Sequence, residues 1–477
     1  MLEKRKLISN SLSMLINRLV QSIATFVLTA AIARILGAEA LGQYLLAFSY
    51  YFIFVNISSQ GLKTLFTREL AREPEKTSIF LTNGTLLQFI FALIGYVALA
   101  IVVFLLPYSV QTSTVCYIMG LTIIPFSLSN ITEAIFQAQE RMHLIALSTV
   151  PVYVLRVMLM IWAMQMKYGV NTLAEILLAS EAIILVIEWL LLIGTVKLKW
   201  QIEKDFIWNS IKAARTFFAI EGIAVVSSRM QILIISLLGN EALVGIYGGI
   251  VQLMQPFLII ANSMATAIFP TLSKAVAQGK AHQRKITENF IEILLIIALP
   301  LLMGCWFFSK DLLIFLYNPS FAQGSLALNI ITLTLLFLPF NRALSNLLVA
   351  NGLEKFNLRE VVITNTIGSF LGVLLVSQFQ LLGAATTDLV MRILGFSQYC
   401  CYTYSRLFPL NILQIIRRPV LITFLMLPVF LILKGASHSF LITLMISTFI
   451  YCLIIGFMGI NYLGGIRVVW SKVAVKR

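Results

Sequence analysis

Apolar residues recur along this chain in stretches of about 17–25, each long enough to cross roughly 30 Å of hydrocarbon as a helix. They run from one end of its 477 residues to the other, at approximately 10–36, 40–62, 78–106, 112–137, 143–167, 172–195, 212–238, 242–270, 287–308, 324–350, 358–378, 382–405, 418–434 and 438–462. The thirteenth is the shortest and opens on Arg417-Arg418-Pro419. Lipid offers no water to unpaired peptide groups, so a spanning segment must be a helix or belong to a closed barrel. The alternating ten-residue strands of a barrel are absent. The expected fold is therefore an all-α polytopic membrane protein with about fourteen transmembrane helices. Composition agrees: 59% of residues are hydrophobic and 12% charged, against about 45–50% apolar in soluble domains.

Positive charge sets the orientation. With the N-terminus inside, the external loops hold only Arg34, Lys167, Lys310 and Lys434 of the 35 Lys and Arg residues, and the spans hold five, Arg18, Arg156, Arg229, Arg342 and Arg392. The other 26 fall in cytoplasmic segments, which places both termini in the cytoplasm. The net charge of +15 then reads as a topology signal with attraction to anionic membrane lipid, and nucleic acid is not an expected partner. The basic start, Met1 to Lys6, leads into an apolar run too long for a signal peptide, so it opens an uncleaved first helix. The five cysteines show no metal-ligand spacing, and none of the three histidines lies mid-span.

An internal duplication organises the chain. Pro125-Phe126 precedes Glu140-Arg141-Met142-His143-Leu144 at the spacing with which Pro339-Phe340 precedes Glu354-Lys355-Phe356-Asn357-Leu358, an offset of 214. Gly169 and Gly383 keep that offset. Upstream, Leu36-Gly37-Ala38-Glu39-Ala40-Leu41-Gly42-Gln43-Tyr44 matches Leu238-Gly239-Asn240-Glu241-Ala242-Leu243-Val244-Gly245-Ile246-Tyr247, with one insertion and an offset of 202. Each copy holds six spans, so both have the same orientation, and parallel repeats place a central cavity at their interface. The expected organisation is an N-lobe over 1–196, an amphipathic cytoplasmic connector over 197–212 carrying Trp200, Phe206 and Trp208, and a C-lobe over 213–408. Two extra helices and a basic tail fill 409–477.

The run Arg34 to Tyr44, then Gly61-Leu62 and Arg68-Glu69-Leu70-Ala71, resembles the opening of polysaccharide exporters. These are the lipid-linked oligosaccharide flippases of the multidrug/oligosaccharidyl-lipid/polysaccharide superfamily, and the resemblance extends over essentially the whole chain. It implies movement of an undecaprenyl-diphosphate-linked oligosaccharide from the cytoplasmic to the outer leaflet of the bacterial plasma (inner) membrane, by alternating access. No cofactor is expected beyond coupling to Na+ or H+. A monomer is expected, with a polysaccharide polymerase as a candidate partner. The resemblance implies a transporter rather than an enzyme, working without ATP hydrolysis, and the chain agrees on the last point in carrying no Gly-x-x-x-x-Gly-Lys-Ser/Thr phosphate loop.

The five arginines narrow the site, because a guanidinium at the bilayer centre costs roughly 2.5–3.5 kcal/mol even on lenient insertion scales. Gly239 lies ten residues after Arg229, about 15 Å along a helix, which puts Arg229 near the midplane as the candidate contact for the diphosphate. Arg18 falls near the cytoplasmic mouth, either in the cavity or snorkelling to headgroups. Glu221, at the same depth in the second copy, is its expected gating partner. Arg342 joins the substrate-binding candidates. Asp388 and Arg392, four residues apart, share a helix face. Glu188 is the candidate partner of Arg156, and the membrane acids, Glu133, Glu181 and Glu292 among them, are candidates for ion coupling. Pro256 and Pro339 are the candidate hinges.

Two other functions suit parts of this pattern. A multidrug or cation antiporter on the same scaffold would favour acids in the cavity, and a lipid II flippase differs in substrate alone. A membrane-embedded sugar polymerase needs catalytic groups on a large external loop, and the longest external stretch, about 309–323, is too short.

Overall fold

The computed structural model describes residues 2–193, 202–435, 442, 445–447 and 449–451. Among them the chain forms α1 (Leu2–Ile35), α2 (Gly37–Arg72), α3 (Thr77–Leu105), α4 (Val110–Leu121), α5 (Ile123–Ala138), α6 (Met142–Gln165) and α7 (Val170–Ile193). There follow α8 (Lys204–Leu238), α9 (Glu241–Ala277), α10 (Lys280–Leu316), α11 (Ser325–Thr332), α12 (Thr334–Ala350), α13 (Glu354–Arg406) and α14 (Ile412–Gly435). Among the described residues, eleven helical stretches are long and apolar enough to cross a membrane, and α8 adds a shorter apolar stretch, Val225–Leu238.

Helix α13 is a hairpin. At Gln380 the backbone turns left-handed (φ 48°, ψ −118°), and Tyr399 donates to Glu360 while Gln398 donates to Thr364. Such pairs, nearly symmetric about residue 380, require two antiparallel helices, matching the stretches at 358–378 and 382–405. The fourth and tenth stretches are each broken once, at Thr122 between α4 and α5 and at Leu333 between α11 and α12. The fourteenth stretch lies largely outside the described residues.

The helices are amphipathic in the sense opposite to a water-soluble protein. Helix α3 buries Asn83 and Gln88 and exposes Ile90, Ile94, Ile101 and Phe104. Its buried amides are used: Gln88 donates to the Ser58 carbonyl, and Asn83 accepts from the Glu203 N–H just before α8. Between apolar surfaces in lipid, close packing and such hydrogen bonds hold helices together.

The chain divides into two compact units, residues 1–252 and 253–477. In the first, Leu62, Phe66, Phe80, Phe136 and Ile145 form a core. Phe206 packs into it, 4.7 Å from the Phe80 ring and 6.0 Å from that of Phe66. Residues 204–212 are thus the first turns of the 35-residue α8, with Trp208 exposed, rather than a separate surface segment as expected. Residues 197–201 lie outside the described residues. In the second unit, Phe308, Met426 and Phe430 join α10 to α14.

The turn closing each broken stretch recurs, at an offset of 212 rather than 214. Glu140 (φ 56°) and Gly352 (φ 70°) are the left-handed residues. Around them the N–H of Arg141 donates to Phe136 O and that of Leu353 to Leu348 O.

Candidate functional site

Helices α2 and α8 run antiparallel in the first unit, with Ile57 opposite Gly222 and Phe52 opposite Arg229. The Arg229 guanidinium lies 4.6 Å from the centre of the Phe52 ring and 5.7 Å from that of Phe48. Its Nε is buried without a hydrogen-bond partner, and no carboxylate among the described residues forms an ion pair with it. Two aromatic faces contribute about 2 kcal/mol or more when desolvated, less than the several kcal/mol that an uncompensated buried charge costs. An anion beside Arg229 would supply the difference.

The other charges inside this unit are matched. Arg156 pairs with Glu181 at 2.5 Å and lies 4.9 Å from the Tyr153 ring centre. Lys63, on α2, pairs with Glu133, on α5. The expected pairing of Arg156 with Glu188 is therefore corrected: the acid two helical turns earlier on α7 takes the arginine. Glu188 is fully buried and receives hydroxyls instead, Thr132 at 2.5 Å and Ser148 at 3.1 Å. Each hydroxyl also lies within hydrogen-bond distance of a helix carbonyl, Ser129 O and Ile145 O. A single proton is thus shared between backbone and carboxyl on each side. Sequence reasoning missed Lys63, Thr132 and Ser148: Lys63 lies just past the second apolar stretch, and hydroxyls leave no signal in hydropathy.

In the second unit α12 and α13 bring Arg342 and Arg392 within electrostatic reach of each other and Arg342 within reach of Tyr399. Both arginines are exposed, and neither forms an ion pair among the described residues. The Arg392 carbonyl accepts from Asn341 Nδ2 at 3.1 Å. Glu360 accepts from Tyr399 and Thr364, with Gly395 so close that a Cβ there would sit 2.6 Å from its Oε1. Asp388, half-buried, lies one turn before Arg392. Glu292 pairs with Arg418 at 3.5 Å.

Arg18 is exposed on α1, one residue after Asn17, which accepts from Thr149 of α6 at 3.0 Å. The Glu221 side chain lies outside the described residues, so the expected Arg18–Glu221 gate falls there too. Pro256 sits within an uninterrupted α9. Pro339 lies within α12, six residues after the break at Leu333.

These features define an all-helical membrane fold with one buried, unpartnered guanidinium nitrogen, that of Arg229. The family model for polysaccharide biosynthesis proteins matches residues 7–276. The chain belongs to that family, in the polysaccharide-exporter branch of the multidrug/oligosaccharidyl-lipid/polysaccharide superfamily. Over 179 residues it is 25% identical to the capsular polysaccharide biosynthesis protein CapF of Staphylococcus aureus, covering 37% of this chain and 45% of that relative. The chain thus matches a little under half the length of that curated relative. Among solved structures it is similar to the lipid II flippase MurJ in an inward closed conformation, with a TM-score of 0.75 at 16% identity over 96% of this chain and 100% of that one. It is also similar to an inward-facing multidrug resistance transporter of the MATE family, with a TM-score of 0.65 at 13% identity over 81% and 95%. The family and these neighbours are transporters and flippases rather than enzymes.

Proposed function

We propose that the chain is a flippase that moves an undecaprenyl-diphosphate-linked oligosaccharide from the cytoplasmic to the outer leaflet by alternating access. The observation that carries this reading is Arg229, a cation in the last third of α8 with a buried, unpartnered Nε beside two aromatic rings. A diphosphate supplies charge and acceptors that match it. Arg342 and Arg392 form a separate cationic group within the second unit. Glu188, held by hydroxyls whose protons can turn either way, is the proposed proton-coupling group. A polysaccharide polymerase acting on the delivered unit is the proposed partner. The matched acids weigh against a cation antiporter, since Glu133 and Glu181 already hold Lys63 and Arg156.

Deleting the gene and analysing lipid-linked intermediates tests the reading. Accumulation of inner-leaflet undecaprenyl-diphosphate oligosaccharide is the expected result. Accumulation of lipid II would reassign the substrate. Unchanged glycolipids with altered dye efflux would replace the flippase with an antiporter.

A further inference from the structure

Helix α13 folds back on itself at Gln380, so its first and last turns meet at one end. Phe356, in the first turn, stacks on Tyr402, near the last, with ring centres 4.8 Å apart. Two cations reach the Phe356 ring from opposite ends of the helix. Lys355 Nζ lies 5.6 Å from its centre and the Arg406 guanidinium 5.8 Å. A cation is drawn to an aromatic ring, and here one ring gathers two of them against their mutual repulsion. The base of the hairpin is also fixed to its neighbour, because Asn357 donates to Ser345 Oγ of α12 at 2.9 Å.

Elsewhere in this unit Arg284 and Arg418 have carboxylates, those of Glu288 and Glu292. Lys355, Arg359 and Arg406 are exposed and form no ion pair among the described residues. Two acids lie close by in sequence, and neither answers them. Glu360 is turned into the hairpin, accepting from Tyr399 and Thr364. Glu354 is exposed one residue before Lys355, about 100° away around the helix.

The helix face decides what kind of anion fits. Lys355 and Arg359 are followed, at steps of four and three residues, by Val362, Thr366, Phe370 and Val373, all exposed. That spacing makes one stripe. Thr366 returns its hydroxyl to the Val362 carbonyl, which keeps the stripe beyond the cations apolar. Tyr404, between Tyr402 and Arg406, is exposed as well, as suits a ring with a polar tip at a membrane interface. A small soluble anion has no use for an apolar stripe. A phospholipid has the same order as this face, charge first and then hydrocarbon.

We propose that the base of the α13 hairpin binds an anionic glycerophospholipid of the surrounding leaflet. Its phosphate sits between Lys355 and Arg406 at the Phe356 ring, and its acyl chains lie along the stripe from Val362 to Val373. Basic pockets between helices recognise such headgroups. The site is independent of whatever the protein transports.

The full chain is reconstituted in vesicles of phosphatidylcholine with a minor share of phosphatidylglycerol and re-extracted in mild detergent. Native mass spectrometry then records the lipids it retains. Phosphatidylglycerol should be enriched roughly tenfold over the vesicle ratio, and less so as salt is raised. Lys355→Ala and Arg406→Ala should each lower the enrichment about fivefold, while Lys355→Arg keeps it. Phe356→Leu should lower it too, although no charge is lost. Lys280→Ala removes an exposed charge at the start of α10 and should change nothing. No enrichment, or equal losses in Lys280→Ala and Lys355→Ala, overturns the site in favour of bulk attraction. Release of phosphatidylglycerol by inorganic phosphate alone would make it a free-anion site. Preferential displacement by undecaprenyl diphosphate would give it to a transported lipid. Either result overturns the assignment to a membrane phospholipid.

Discussion

Charges inside the first unit are largely matched, acid to base, whereas the second unit holds two exposed arginines, Arg342 and Arg392, within electrostatic reach of each other. Lys63–Glu133 and Arg156–Glu181 neutralise themselves between α2, α5, α6 and α7. Helices α12 and α13 bring Arg342 and Arg392 within electrostatic reach of each other, and neither forms an ion pair among the described residues. Arg229 belongs by position to the first unit and by chemistry to the second. The difference separates charges that hold helices in place from charges left available to an anion.

The comparison breaks first at Glu181. Glu181→Ala leaves Arg156 buried and unpaired and should destabilise the protein by about 3–5 kcal/mol, read as thermal unfolding in detergent. The double change Arg156→Leu with Glu181→Leu should recover most of that loss. If Glu181→Ala unfolds like the wild type, the pair is not structural.

Arg229→Ala should hold or raise stability, since it removes a buried unpaired charge, and lower transport more than 100-fold, about 3 kcal/mol of lost charge-assisted binding. Arg229→Lys should retain part of the activity, because the charge persists without the planar fork. Full transport by the alanine variant would return Arg229 to the structural class.

Thr132→Val removes one hydroxyl from Glu188 and should cost about 1–3 kcal/mol of stability. A neutral result would mean that Ser148 suffices. Arg342→Ala relieves a like-charge contact, so stability should hold or rise by about 0.5 kcal/mol while headgroup affinity falls, measured with immobilised undecaprenyl diphosphate. A loss as large as that of Glu181→Ala would erase the contrast between the units. Glu292→Gln is the control: its partner Arg418 is solvent-accessible at 3.5 Å, and the change should stay within about 0.5 kcal/mol.

Most helix positions among the described residues were legible in the sequence because each span must satisfy its own backbone and present apolar side chains to lipid. The hairpin at Gln380 follows the same rule, and its two arms were visible as separate apolar stretches. The turns at Glu140 and Gly352 recur as left-handed residues at an offset of 212, a backbone likeness that residue identity does not show. The first turns of α8 looked amphipathic from Trp200, Phe206 and Trp208, and only the tertiary core at Phe66 and Phe80 decided that Phe206 points inward.

Sequence by itself determined that this chain is a bundle of membrane helices with a duplicated glycine motif and five costly arginines. Those properties are local: hydropathy and spacing follow from the residues alone. Which acid meets which base is not local. Arg156 chose Glu181 over Glu188 by helix rotation, and Lys63 found Glu133 across 70 residues of chain. The encounter of Lys355 and Arg406 at one ring likewise depends on the two arms of α13 closing on each other, which only the packed structure decides.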